Sequence, residues 1–413
     1  MVSEKDKLII RELAKKTAEI AALPVQEEKR RLWRRLNGLR PERPMVMIDQ
    51  VCWSELESDD LLKLRCEDEE CRSYETRLRR NLYQWKHFPV DMVIEPFIPV
   101  PKATGNTGLG IEPQNETLAS DPDNPVVARK WISQLETDED LEKITVPKIK
   151  LDVTETDRRL SVAKELFDGI LEARAVGEAP FVQVWDAIAE FRGVGNTLNT
   201  LVEDPDFIHR IIQKMILSLT GMFDQLEDQG LLCDMESYTL IHCTGAYTDE
   251  LPAPGYKREK PRCKDIWTGG LAQMLSTVSP AMHQEYELDY CNPLFARFGL
   301  VYYGCCDPLD RKMDIVSKIP NLRKVSMSPW TDPERGAEGI GKKFVFSSKP
   351  NPAFLAWDVF SEEQVKGQLT AVKNACDKNG CPLEFILKDI STVYHEPWRL
   401  DKWAELAMQT AMA

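Results

Sequence analysis

The sequence predicts an α/β protein: a (β/α)8 TIM barrel preceded by extra N-terminal helices. Three observations carry this. Solid apolar runs such as Met45-Val-Met-Ile, Leu300 to Tyr303 and Leu383 to Ile390 read as strands buried on both faces. They alternate with helical stretches, as a parallel sheet requires. About eight such repeats follow one another, which argues for a closed barrel over an open sheet. The domain reading is a helical extension over residues 1–40 and a barrel over residues 41–413, with an irregular excursion at 101–150.

The elements follow in order. Residues 3 to 38 read as two charged helices broken near Pro24, their arginines forming a solvated face. A strand from Met45 ends at Asp49-Gln50, a helix is expected from Asp59 to Trp85, and a second strand from Val90 to Val100. Glycines and prolines then make the 101–150 stretch irregular, which suits a functional loop, a lid or a subunit contact, as in a homodimer. Its Gly105, Gly108 and Gly110 lack the spacing of a phosphate loop. A helix is expected from Val153 to Ala173 and a strand from Pro180 to Trp185, ending at Asp186. A helix from Asp204 to Gln229 carries its apolar residues at helical spacing. Leu231 to Ser237 reads as a strand and Ser279 to Phe298 as a helix. After the Leu300 strand come a helix over 308–318, strands at Arg323 to Ser328 and Lys343 to Ser348, a helix from Ser361 to Lys378, and the last strand.

The composition narrows the function. A net charge of −14 on 413 residues disfavours nucleic acid and anionic membrane as partners. No apolar run reaches the length of a membrane span. The charged N-terminus has no apolar signal core, so a cytoplasmic location is expected. Eleven cysteines, an odd number, suit reduced thiols better than a disulfide framework.

In a barrel of this kind the active site lies at the carboxyl ends of the strands. That rule gathers Asp49, Gln50, Glu95, Gln183, Asp186, Glu236, His242, Cys305, Cys306, Asp307, Ser328, Lys349 and Ser391 to His395. The centre of the set is Gly299 to Asp310, a strand that delivers Cys-Cys-Asp at its end. Thiolates and imidazoles are zinc ligands, so Cys305, Cys306, His242 and His395 are candidate metal ligands. The bland alternatives are helix caps and small buried hydrophobes. His87, His209 and His283 read as structural, and Cys376 and Cys381 as packing. The sequence has no GxSxG, HExxH or CxxC motif.

Several stretches match one known pattern in order. They are Thr137-Asp-Glu-Asp-Leu-Glu-Lys-Ile-Thr-Val-Pro147, Glu203-Asp-Pro-Asp-Phe-Ile, Ser279-Pro-Ala-Met-His-Gln-Glu-Tyr, Tyr303-Gly-Cys-Cys-Asp307, Val325-Ser-Met-Ser-Pro329 and Phe346-Ser-Ser-Lys-Pro-Asn351. From about Met45 onward the chain thus resembles the uroporphyrinogen decarboxylase superfamily, which includes zinc methyltransferases of corrinoid-dependent methyl metabolism. Where true decarboxylases of this family carry an arginine-rich segment, this chain reads Met47-Ile-Asp-Gln-Val-Cys-Trp53. The resemblance therefore points to the methyltransferase branch. Cys305 matches the family's ligand cysteine, Tyr303 stands in place of its histidine, and no cysteine falls near Ser391-Thr392.

The expected activity is methyl transfer between a small methylated donor, such as a methoxylated aromatic, and a separate protein carrying cobalamin. Zinc would assist as a Lewis acid. Asp49, Asp186 and Glu236 are the candidate catalytic carboxylates. Trp53, Gln183, Trp185, Tyr303 and Asp307 are the candidate substrate contacts. The alternatives are a metal-free lyase using Asp49, with Lys349, Arg323 and Arg192 as cations, and a noncatalytic corrinoid- or ligand-binding barrel.

Overall fold

The computed structural model describes residues 2–56, 60–118 and 127–413. A seven-stranded sheet runs in the order Met45–Ile48 (β1), Leu383–Leu387, Val345–Ser348, Leu322–Met327, Leu300–Tyr303, Trp267–Gly270 and Phe181–Val182. Every pair in it is parallel. β1, Leu300–Tyr303, Val345–Ser348 and Leu383–Leu387 are buried along their whole length, so each reads as an unbroken apolar run or nearly so. Trp267–Gly270 escapes that criterion because half of it is glycine. The glycines are needed there: a Cβ on Gly269 would overlap the Phe181 ring, and one on Gly270 the Phe295 ring.

The expectation of a closed eight-stranded barrel is narrowed to a mixed α/β fold with this seven-stranded sheet. Among the described residues no ladder joins β1 back to Phe181–Val182. Phe97–Pro101 (β2) pairs instead with Glu172–Val176 in a separate parallel two-stranded sheet. The physical reason lies in two aspartates. Asp91 Oδ2 accepts the Val46 N–H at 2.9 Å while the Asp91 N–H donates to the Val46 carbonyl, so a side chain replaces ladder bonds beside β1. Asp234 Oδ1 accepts the N–H groups of Glu236 and Ser237, folding the expected 231–237 strand into a turn. Of that strand only one parallel bridge remains, Leu232 with Glu178.

Other expectations shift locally. The Pro180 to Trp185 strand shrinks to Phe181–Val182, and a helix, Val184–Arg192, starts early enough to carry Trp185 and Asp186. Residues 172–176 are strand, not the end of a helix. The helix over 308–318 divides into a short 3-10 turn, Leu309–Arg311, and Met313–Val316. The start expected at Asp59 lies outside the described residues, and the helix observed there is Glu69–His87 (α3). In the excursion, Thr104–Asn106 pairs antiparallel with Ile149–Leu151, and Asn115–Leu118 with Ala128–Trp131.

The two N-terminal helices form as expected, Glu4–Ala21 (α1) and Pro24–Asn37 (α2). Ser3 caps α1 by accepting the Asp6 N–H, and Pro24 opens α2, where a missing N–H costs nothing. Both pack on the rest of the molecule, α1 on α3 and α2 on β1. Trp33 is fully buried and its indole N–H donates to the Asp91 carbonyl at 2.9 Å. The Asn37 amide reaches the carbonyls of Gly245 and Tyr247.

Candidate active site

The Leu300–Tyr303 strand stops at Gly304, which turns the chain with a φ of 94°. Asp307 holds the turn by accepting the Cys305 N–H at 3.1 Å, and the Ser326 hydroxyl donates to the Cys305 carbonyl at 2.8 Å. These bonds fix Cys305 at the strand end. Its Sγ lies 3.4 Å from Cys306 Sγ and accepts a hydrogen bond from Lys388 Nζ at 3.3 Å. Lys388 also donates to Asp389 Oδ2 at 2.9 Å, and Cys306 Sγ lies 3.7 Å from the same oxygen. The four side chains make a closed ring of contacts in which Cys305 is buried and Cys306 exposed.

The electrostatics of the ring favour a thiolate at Cys305. The Cys306 thiol donates to it, and contact with His242 and the Lys388 charge add to that, which together outweigh burial and hold the thiol well below its usual range. Cys306 is driven the opposite way by the same hydrogen bond. Burial opposes the charge on Lys388, but Cys305 and Asp389 overcome it and raise the ammonium. His242 lies beside the pair, stacked near Phe181 and Tyr302. Burial holds its imidazole low, and its Nε2 has no partner in hydrogen-bond geometry.

Two further groups face the ring. Asp186 is pushed up to about 6 by burial and by the negative charge of Cys305, while Gln273 Nε2 bridges both its oxygens at 3.4 Å. Lys349 is lowered to about 8 by burial; it donates to Ser347 Oγ at 2.9 Å and lies over the Tyr302 ring. Asp49 sits next to Cys243, whose thiol burial pushes to about 12. The backbone here is strained: Gln50, His242, Cys243 and Asp389 have φ of 49°, 43°, 69° and 57°. Non-glycine residues in this region cost about 1–3 kcal/mol each and cluster at functional sites.

The structure thus gathers Cys305, Cys306, His242 and Asp186, with Asp49 joined through Cys243. It does not gather the others. Asp307 is fully buried and braces the turn, with Oδ2 unpartnered. Tyr303 faces away from the mouth, its hydroxyl held by His283 Nε2 at 2.7 Å and by Glu287 at 3.1 Å. Trp185 lies in the core, not along a substrate wall. Gln183 is exposed before the helix. Trp53 packs edge-on to Tyr83 with Arg80 over its ring. Glu236 is an exposed side chain paired with Arg258 at 3.2 Å. His395 is exposed on a loop whose N–H groups Glu55 ties down. Lys388 and Asp389 were missed because the last strand reads as running to Ile390. It stops at Leu387, and the strand-end rule then lands on them.

The expected zinc set does not come together. Among the described residues no three His, Cys, Asp or Glu side chains are placed to share a metal ion. The cation that does meet the Cys305 sulfur is Lys388.

No protein-family profile and no curated protein matches the sequence. Among solved structures, the fold is similar to a methyltransferase from Methanosarcina mazei, with a TM-score of 0.52 and 11% identity over 93% of this chain and 98% of that one.

Proposed function

We propose that the protein is a methyltransferase whose reaction takes place over the Cys305 ring. The observation that carries this reading is the Cys305 sulfur held by Lys388 Nζ at 3.3 Å and Cys306 Sγ at 3.4 Å, an arrangement that favours a thiolate, with Asp186 facing the ring and its carboxyl raised to about 6 by burial and the Cys305 charge. Moving a methyl group from oxygen to a nucleophilic acceptor forms the acceptor–methyl bond, breaks the methyl–oxygen bond and leaves that bond's electron pair on the oxygen, which must be protonated. A carboxyl titrating near the working pH is suited to that task. Asp186 gives the proton, and Cys305, through its negative charge, keeps it available. Asp49 and Lys349 line the same mouth and orient the donor. The sequence resemblance and the similarity in fold to a methyltransferase support the class. The finer reading is a methoxylated aromatic donor and an acceptor corrinoid carried by a separate protein docking at the mouth, with the strand ring acting as an opened (β/α)8 barrel.

The test is to incubate the protein with methoxylated aromatics and methylamines in the presence of reduced cobalamin and follow methylcobalamin by absorbance. Transfer by the wild type that Asp186→Asn abolishes supports the reading. No transfer from any donor in the panel sinks it.

One observation favours a second reading. Lys349 and Lys388 are both buried at the mouth, whereas Arg323 pairs with Glu250 and Arg192 bonds Thr200 and the Leu135 carbonyl. Two mouth lysines supply the cationic groups that a lyase for carboxylated substrates needs. Release of carbon dioxide without methyl transfer would select it.

A further inference from the structure

In the seam between β1 and β2, where the sheet does not close, lies a cavity of about 160 Å³. A cavity of roughly 150 Å³ is enough for a benzene ring. Arg77, Asn81 and Gln84 face it at i, i+4 and i+7 along α3, one side of the helix. Among the described residues none of the three side chains has a hydrogen-bond or ion-pair partner. The neighbouring arginines are engaged: Arg79 donates to Glu75 at 2.7 Å, and Arg80 lies over Trp53. Arg77 is reachable by solvent, yet the surrounding protein desolvates its guanidinium with only the Tyr74 hydroxyl in partial compensation.

The rest of the wall is apolar where it meets Trp33, Met47 and Phe97. Two carboxylates also line it. Glu95 is already neutralised by Arg30 Nη2 at 2.8 Å and by the Tyr247 hydroxyl at 2.6 Å. Asp49 lines the space with no cation among the lining residues paired to it, which disfavours a ligand with a second negative group.

We propose that this seam cavity binds a small monocarboxylate with an apolar body, the carboxylate held by Arg77 with Asn81 and Gln84 and the body against Trp33, Met47 and Phe97. A planar guanidinium fork matches a carboxylate in two parallel hydrogen bonds, and one cation balances one anionic group. The proposal stands apart from methyl transfer, because it requires no chemistry at Cys305.

The test is isothermal titration of the full chain with benzoate, phenylacetate and hexanoate, with benzamide as the neutral counterpart of benzoate and phthalate as the dianion. Saturable binding of at least one monocarboxylate is expected. Benzamide should bind at least about tenfold more weakly than benzoate, and phthalate more weakly still. Arg77→Met should remove the preference for benzoate over benzamide and Arg77→Lys should keep part of it. Asn81→Leu, on the same face, gives a second variant should Arg77→Met fail to fold. No binding of any monocarboxylate at millimolar concentration, equal binding of benzamide, or unchanged binding in a folded Arg77→Met protein would each overturn the proposal.

Discussion

Two clusters of titratable side chains lie at the end of one strand, and they behave in opposite ways. In the mouth ring of Cys305, Cys306, Lys388 and Asp389, the Cys305 thiol and the Lys388 amine are both pushed towards their charged forms. The second cluster begins at Tyr303, two residues earlier, and is sealed among the helices. There His283 Nε2 meets the Tyr303 hydroxyl, Tyr303 donates to Glu287, and Lys312 Nζ lies 3.1 Å from His283 Nδ1. Burial drives His283 and Glu287 towards their neutral forms, His283 down to about 3 and Glu287 up to about 8. In the ring an ammonium and a thiolate face each other and one member reaches solvent, so mutual attraction outweighs desolvation. In the sealed cluster the His283 and Glu287 side chains come no nearer than 3.9 Å, both are fully buried, and desolvation wins. Which side of the strand a residue faces decides its chemistry, whatever its distance in sequence from the cysteines.

The largest effects should separate the two clusters cleanly. Asp186→Asn removes the proposed proton donor and should slow the proposed methyl transfer by about 100-fold or more, leaving the melting temperature unchanged. Tyr303→Ala should do the reverse. It empties a fully buried aromatic site and should cost about 3–5 kcal/mol in denaturant unfolding. At temperatures where the Tyr303→Ala variant remains folded, its Cys305 should still be alkylated at the wild-type rate. A Tyr303→Ala protein with full stability and altered alkylation would break the comparison.

Next in size is the ring's own electrostatics. Iodoacetamide should alkylate Cys305 below pH 7, where an ordinary thiol is protonated. Lys388→Met removes the cation at 3.3 Å and should move the midpoint of the alkylation profile upward by about one pH unit or more. A profile that stays in place would assign the depression to Cys306 alone.

The sealed cluster shows itself in stability against pH. Folded His283 resists protonation down to about 3, whereas the unfolded imidazole takes a proton near its ordinary value of 6.5. Stability is therefore lost as pH falls from about 6.5 towards 3. Folded Glu287 keeps its proton up to about 8, whereas the unfolded carboxyl releases it near 4.5, so stability also falls as pH rises across that interval. Thermal melts across this range should show an optimum between about pH 4.5 and 6.5 from these two groups, and Glu287→Gln should flatten the alkaline side.

How far the sequence discloses all this depends on what each residue's neighbours are. The strands buried on both faces announce themselves as apolar runs, and the two N-terminal helices by their charge pattern and Pro24. Cys305, Cys306, His242 and Asp186 follow from one rule about strand ends. Trp267–Gly270 does not, because its glycines are chosen by the Phe181 and Phe295 rings packed on them, contacts made across the chain. Nor does the opening of the sheet, which hangs on the side chains of Asp91 and Asp234 taking backbone bonds from a would-be ladder. Lys388 was within reach and was lost to a strand boundary misplaced by three residues. The role of Tyr303 was misread because a strand alternates faces, and the register of that alternation against the helices is a tertiary fact.

The smallest effects belong to residues that share the strand-end rule and none of the geometry. Glu236 spends its charge on Arg258 at 3.2 Å, with side chains 60% and 49% exposed, a pair that solvent screens almost completely. Glu236→Ala should change stability by less than about 1 kcal/mol and leave methyl transfer unaltered. His395 contributes its backbone N–H to Glu55 and presents its ring to water, so His395→Ala keeps the bond and should be equally quiet. The two substitutions test whether the mouth ends where the Cys305 ring ends. A loss of turnover in His395→Ala at unchanged stability would mean that the 391–395 segment closes over the ring when substrate binds.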